Sequence, residues 1–371
     1  MVNENVIDPA TLDYSVSDVE SYKGFICPGF VNSHCHMELS FLRGVMAEHS
    51  GLDQFVIELE RIRKELHEEE KAEHIFRAER EMLDNGIVAV GDTSNDNSTF
   101  KIKNNSKLYY HTFIECFASN PQKAEKVFEK ATKLFNEISR NENNSHASVT
   151  PHATYSLSKE LFQKIYDFAL KTDNIISIHH QESEDENLFF MAGKGNIKKM
   201  HFLFGMEQSE FCNTGLYPLE SIAGYIPKSN PLQLVHNTVT TDADIDFATE
   251  NFANLYWCFC PNANLYIERK LPAFALFYNK KCKITIGTDS LASNKSLSVL
   301  AEIKTLLADV PFIPLHDLLT WATLNGAKFL QIDKKFGTIE KGKTPGILLL
   351  ENVNSEKKQL TRETSVQPLV I

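Results

Sequence analysis

Residues Phe25 to His36 read Phe25-Ile-Cys-Pro28-Gly-Phe-Val-Asn-Ser-His34-Cys-His36, a β-rich apolar run that stops on two histidines one residue apart. No Gly-rich phosphate loop follows the run, so a dinucleotide-binding βαβ opening has no support here. In a strand, residues i and i+2 face the same side, so both imidazoles can reach one ion. Alone the pair is weak evidence, because two unrelated loop histidines give the same pattern.

Working outward, similar short runs recur at Ile87 to Asp92, Tyr109 to Cys116, Ala147 to Pro151, Ile175 to Ile178, Leu232 to Val235, Leu255 to Phe259 and Ile284 to Gly287. With Phe25 to Asn32 they make eight. Segments of helical period lie between them, among them Leu52 to Asn85, Pro121 to Arg140, Lys159 to Thr172, Asp242 to Asn251 and Ser296 to Asp309. Alternating strands and helices imply an α/β fold with a parallel sheet, and eight such units imply a closed (β/α)8 barrel of the TIM type. The barrel is expected over residues 24–335. Residues 1–23 and 336–371 are expected to form a small sandwich-like β-layer, with the apolar run Gly346 to Leu350 at its centre and an N-terminus short enough to be incomplete. Residues Gln181 to Gly215 form an insertion after the fifth strand, a candidate lid or specificity segment.

A chain of 371 residues suits one such barrel, and its 42% hydrophobic and 23% charged residues describe an ordinary globular protein. The net charge of -11 argues against nucleic acid or an anionic membrane as a partner. No apolar run reaches the roughly 20 residues that a membrane span needs, and Met1 to Ser21 holds no signal-peptide core, so a cytoplasmic location is expected. The 7 cysteines are scattered, which suggests reduced thiols rather than a disulfide framework. Cys258 and Cys260 have no second pair to complete a four-sulfur site and read as strand residues.

Position strengthens the histidine pair. His179, His236 and Asp289 each fall where the fifth, sixth and eighth expected strands stop, the rim on which barrel enzymes place their catalytic groups. One such residue is easily a buried structural histidine or a turn aspartate. Together they point to one mouth.

The chain resembles the amidohydrolase superfamily, specifically its mononuclear-metal deaminases of cytosine, guanine, adenosine-like and pterin-type substrates. The resemblance runs from Phe25 to Gly346, through the His34-Cys-His36 stretch, Thr150-Pro-His-Ala-Thr-Tyr-Ser, His179-His-Gln-Glu182, Leu234-Val-His236-Asn, Cys260-Pro-Asn-Ala-Asn, Gly287-Thr-Asp289-Ser-Leu-Ala-Ser-Asn and Glu340-Lys-Gly-Lys-Thr-Pro-Gly. It implies that His34, His36, His179 and Asp289 bind one divalent metal, zinc or alternatively iron, with a position left for a water of lowered pKa. It also implies that Glu182 carries protons between that water, a ring nitrogen and the departing amine. His236 and Asp289 would orient the water, with His180 pointing away. His152 would contact substrate, or else cap the core. Glu38 and Arg43 would read the substrate, or else form a salt bridge and a helix start. Glu184, Asp185 and Glu186 read as surface charge.

Binuclear members of that superfamily carry a carboxylated lysine at the end of the fourth strand, where this chain has Val149-Thr-Pro-His152. A single metal is therefore implied. No Pro-Cys-x-x-Cys follows His36-Met-Glu38, which sets aside the other zinc-deaminase architecture. The resemblance implies a hydrolase of non-peptide carbon–nitrogen bonds acting on a small-molecule purine, adenine nucleoside, pterin or pyrimidine, with a homodimer as an allowed assembly. A cyclic-amide or chlorotriazine hydrolase on the same fold, and a metal-binding barrel without turnover, stay open as alternatives.

Overall fold

The computed structural model describes residues 20–63, 68–140, 145–206 and 209–371, so the expectation for the N-terminal lead falls largely outside the described residues. The first strand, β1 (Phe25–Pro28), is followed by β2 (Phe30–Cys35), β3 (Ile87–Ser94), β4 (Tyr109–Cys116), β5 (Ser145–Pro151), β6 (Ile176–His180), β7 (Leu232–His236), β8 (Leu255–Phe259) and β9 (Ile284–Ile286). Strands β2-β3-β4-β5 and β6-β7-β8-β9 form two parallel four-stranded arcs.

Both seams between the arcs are bonded, which closes the barrel. At one seam, Thr288 N and Asp289 N donate to the His34 carbonyl at 3.0 and 3.1 Å. The Asn32 amide backs them, accepting from Thr288 N at 3.0 Å and donating to its hydroxyl at 2.8 Å. At the other, His179 N donates to the His152 carbonyl at 2.9 Å. There the Thr150 hydroxyl stands in for a ladder bond, donating to the Ser177 carbonyl and accepting from Ser177 N at 3.1 Å.

Every residue of β2, β3, β4, β6, β7, β8 and β9 is buried. A strand with helices outside and a filled barrel inside has no wet face, which is why these runs read as continuous apolar stretches rather than alternating ones. Crossover helices include Ala124–Ser139, Lys159–Thr172, Asp242–Asn251 and Val299–Asp309. The stretch expected as one helix from Leu52 is described as two, Leu52–Ile62 and Glu68–Asp84. The insertion after β6 folds as helices Glu184–Ala192 and Asn196–Leu203.

The expected first strand is two strands. Its opening residues, β1, pair antiparallel with β10 (Ile347–Glu351), which in turn pairs antiparallel with β11 (Ser365–Val370). The two terminal segments thus build the small sheet together. The break falls at Gly29, where an added Cβ would lie 2.2 Å from Val88 Cγ1 and 2.8 Å from the Pro345 carbonyl oxygen, so only glycine lets the chain step from the small sheet into the barrel. All seven cysteines are free. No helix among the described residues is long and apolar enough to cross a membrane.

Candidate active site

Where the parallel strands end, the chain turns sharply, and His36, His152, His179, Glu182, His236 and Asp289 from these turns line a single cavity. Several of those turns use left-handed backbone at residues other than glycine: Gln181 (φ 45°), His236 (φ 76°), Asn237 (φ 57°) and Asp289 (φ 56°). Such conformations cost of order 1 kcal/mol or more and persist only where surrounding contacts hold them. Asn237 shows how, donating to the Leu234 and Cys258 carbonyls at 2.9 and 3.3 Å while its Oδ1 meets His180 Nδ1 at 3.0 Å. His180 therefore turns out of the cavity and packs against Trp257.

The Nε2 atoms of His34, His36 and His179 converge, His36 lying 3.2 Å from His34 and 3.3 Å from His179. Asp289 Oδ1 stands 3.7 and 3.6 Å from the Nε2 atoms of His34 and His36. A tetrahedral ion with ligands at about 2.1 Å requires ligand–ligand edges of about 3.4 Å, so the three imidazole nitrogens have the spacing of a metal site, with Asp289 close to two of them. The protonation states agree. Burial, followed by the neighbouring His34, pushes the His36 imidazole down to about 3, and burial with four nearby imidazoles holds His179 well below its usual range, so both offer lone pairs. Burial opposes ionisation of Asp289, but a hydrogen bond with His34 and the surrounding imidazoles prevail and keep its carboxyl below the usual range.

Supporting contacts orient these groups. His179 Nδ1 meets the His152 carbonyl at 2.7 Å, which makes that nitrogen the donor and leaves Nε2 free for the cage. Ser293 donates to Asp289 Oδ2 at 2.6 Å. Behind His36, Met37 N donates to Asp92 Oδ1 at 2.8 Å, and the other oxygen of Asp92 pairs with the buried Lys103 Nζ at 2.6 Å. Glu115, His152 and His179 form a second set of metal-type donors. In that set Glu115 faces Nδ1 of His179, at 3.5 Å, the nitrogen already spent on the His152 carbonyl. One ion fits better than two.

Glu182 Oε1 lies 3.7 Å from His236 Nε2, and the His236 ring is held from behind by Asn264 Oδ1 at 3.2 Å from Nδ1. Burial, then the charges of Asp289 and Glu268, hold the Glu182 carboxyl well above its usual range. The cavity has a volume of about 440 Å³ and is lined by His36, His152, His179, Glu182, His236 and Asp289 at one end. His152 hydrogen-bonds Ser156 at 3.1 Å, and burial pushes its imidazole down to about 4.

Of the two residues expected to read substrate from beyond His36, only Glu38 reaches the cavity. It lines the wall, accepting from Asn95 N and Nδ2 at 2.8 and 2.9 Å, and burial followed by Asp96 pushes its carboxyl up to about 7. Arg43 is not brought to the site. It is half exposed and paired with Glu81, the salt bridge that was its plainer reading. Glu186 corrects a second expectation, because it is buried rather than surface charge. Its carboxylate accepts from the Thr154 hydroxyl at 2.5 Å and from Glu182 N at 3.2 Å, and Gln181 N also donates to it. Glu115 and Asn264 escaped the sequence reading as site residues. Glu115 had the same signal as the others, a polar residue closing a buried strand, and Asn264 sat inside a quoted motif.

A closed parallel barrel with imidazoles and carboxylates gathered at the C-terminal mouth defines a metal-site barrel of the hydrolase type. The chain belongs to the amidohydrolase family, whose pattern matches residues 25–368. Among curated relatives, a 5'-deoxyadenosine deaminase of Methanothermobacter thermautotrophicus is 24% identical over 385 residues, covering 96% of this chain and 79% of that protein. Among solved structures, the aminofutalosine deaminase of Helicobacter pylori in complex with methylthio-coformycin aligns with a TM-score of 0.77 at 23% identity, over 88% of this chain and 78% of that one. An atrazine chlorohydrolase of Arthrobacter aurescens complexed with zinc aligns with a TM-score of 0.70 at 16% identity, over 87% of this chain and 75% of that one.

Proposed function

We propose that the protein is a metal-dependent aminohydrolase that replaces the exocyclic amino group of an adenine-type nitrogen heterocycle by oxygen, releasing ammonia. The observation that carries this reading is the convergence of three histidine nitrogens, with Asp289 beside two of them, and of a buried, high-pKa Glu182 on one cavity. Similarity to the adenosine-type deaminases supports the same chemistry.

In this reading His34, His36, His179 and Asp289 hold one divalent ion, and imidazole with carboxylate donors suits zinc, with iron as the alternative. When bound, the ion supplies Lewis acidity that makes a water nucleophilic at neutral pH. The chain does the rest. Glu182 accepts a proton from the attacking water at a carboxylate oxygen and gives it to the ring nitrogen beside the reacting carbon, which lets electrons leave the ring bond as oxygen adds. His236, fixed by Asn264, points Nε2 into the space between Glu182 and the cage and orients the water. As the carbon–nitrogen bond breaks, Glu182 passes the second water proton to the amine, and ammonia departs. Glu38 and His152 line the wall that faces the heterocycle and are the chain's substrate contacts.

Ammonia release from zinc-loaded protein against adenine nucleosides, guanine, cytosine, pterins and aminotriazines, with Glu182→Gln as the control, tests the reading. A hit that vanishes in the control supports it. Chloride release from a chlorotriazine, or ring opening of a cyclic amide without ammonia, would move the assignment to another hydrolase of the family.

A further inference from the structure

Barrel interiors are ordinarily filled by layers of branched apolar side chains. Here one of the filling residues is a glutamine. Gln233, on β7 and fully buried, engages both ends of its amide: Nε2 donates to the Ser33 carbonyl at 3.0 Å and to the Ser177 hydroxyl at 3.2 Å, and Oε1 accepts from the Thr285 hydroxyl at 2.9 Å. Neither β2 nor β9 neighbours β7 in the sheet, so two of these bonds cross the interior of the barrel. Each partner belongs to a strand that leads to a proposed metal ligand. Ser33 immediately precedes His34 on β2, Ser177 lies two residues before His179 on the same face of β6, and Thr285 is on β9, four residues before Asp289. Strand β7 itself ends on His236. The bond to Ser33 carries particular weight, because the register between β2 and β3 shifts between Asn32 and Cys35, so no unbroken ladder to β3 holds the stretch that leads into the two histidines.

We infer that Gln233 is a positioning residue for the metal site: its one amide ties β2, β6 and β9 to β7 and so sets the separations of His34, His36, His179 and Asp289. The inference rests on the ligand set proposed above. A buried amide with its donors and acceptor engaged is held rigidly, and its partners with it. An apolar side chain of the same length would fill the space but leave the Ser33 carbonyl without this donor and the three strands without their common tie. Gln233 acts through backbone and hydroxyl groups only, since it is not among the residues that line the cavity.

The test compares the full chain with Gln233→Met, Thr285→Val and the double variant, measuring zinc affinity by competition with a chelating indicator and the visible absorption of each protein loaded with cobalt(II), at a temperature where all are folded. Removing a group that orients metal ligands from behind typically weakens metal binding by about 10–100-fold, so Gln233→Met should lose that much zinc affinity and shift its cobalt bands. Thr285→Val keeps the shape of the side chain and removes one neutral hydrogen bond, for a smaller loss of about fivefold. Because Thr285 acts through Gln233, the double variant should bind no more weakly than Gln233→Met alone. A Gln233→Met protein that is less stable to denaturant yet keeps the parent's zinc affinity and cobalt spectrum would reduce Gln233 to a packing residue and overturn the inference, with the ligand set untouched. If Gln233→Met does not fold, Thr285→Val decides alone: the fivefold loss supports the inference and parental affinity overturns it. A parent chain that fails to hold zinc against the indicator overturns the ligand set and the inference together.

Discussion

Replacing Glu186 by alanine removes a carboxylate that accepts from the Thr154 hydroxyl, from Glu182 N and from Gln181 N, in a place with about 1% exposure. The hydroxyl can rotate to another acceptor, but the two backbone donors cannot. At about 1–3 kcal/mol for each buried donor left unsatisfied, the loss is about 2–6 kcal/mol, or a Tm lower by about 4–12 °C at roughly 2 °C per kcal/mol for a chain of this size. Function should suffer separately from stability. Glu186 fixes the backbone of Glu182 from one side and the Thr154 loop that follows His152 from the other, so the proton carrier and a wall of the cavity lose their common anchor. A displacement of about 1 Å at a reacting group costs on the order of a hundredfold in rate, so kcat should fall by about 10–100-fold at a temperature where the variant is folded. Metal content should stay at the parent's level, because Glu186 touches none of the four cage residues. Chemical denaturation, metal analysis and steady-state ammonia release on one preparation measure all three. A Glu186→Ala protein within about 0.5 kcal/mol of the parent, with unchanged kcat, would mean that this carboxylate is surface charge after all.

The remaining predictions concern the cage, the proton carrier and one more buried acid. Glu182→Gln should retain its metal and lose about 10²–10⁴ in kcat, checked by ammonia release beside metal analysis; full activity would remove Glu182 from the mechanism. His34→Ala and Asp289→Ala should each lose metal on dialysis and activity with it, since each removes one corner of the cage; undiminished metal content in either would contradict the ligand set. Glu302, fully buried, has its carboxyl pushed up to about 8 by burial despite hydrogen bonds from Asn262 and Asn294. Its folded pKa is above the unfolded value of about 4.3, so its stabilising contribution is complete below that value and is lost as pH rises through about 8. The unfolding free energy of the parent minus that of Glu302→Gln should therefore fall between pH 5 and pH 8, measured by denaturant titration, and a flat difference would refute the assignment.

The barrel and the gathering of strand-end residues at one mouth were legible because each rests on a local pattern, whereas the ligand roles came from the family resemblance. A strand covered on both faces shows as a short unbroken apolar run, and a residue at its end must emerge at the mouth, so His34, His179, His236 and Asp289 could be placed together by counting alone. Other features depend on contacts distant in the chain. Nothing in the run from Phe25 to Asn32 betrays that it divides between two sheets, because the close approach of Val88 and Pro345 that requires glycine at position 29 comes from residues distant in the chain. Glu186 lies in the acidic stretch from Glu182 and looks solvated until Thr154 and the strand-end backbone are seen to bury it. Arg43 follows the histidines closely, yet the turn after Leu42 aims it at Glu81 in a neighbouring helix. The apolar part of the cavity lining was the least visible, since it is drawn from helices Leu52–Ile62 and Ala124–Ser139 and from the insertion, and no single segment carries its signature.

The bond from Asp289 N to the His34 carbonyl has a consequence for how the site comes into being. It joins the strand that begins the barrel to the turn that follows the last one, and both partners carry a cage side chain. A nascent chain holds His34 and His36 early but has no fourth corner until nearly all of the barrel has been made, and the corner arrives only as the ring shuts. With the proposed ligand set, tight metal uptake would be a late event that reports completion of the circle, and any lesion that springs the ring, however remote from the cavity, should register first as a leaking ion.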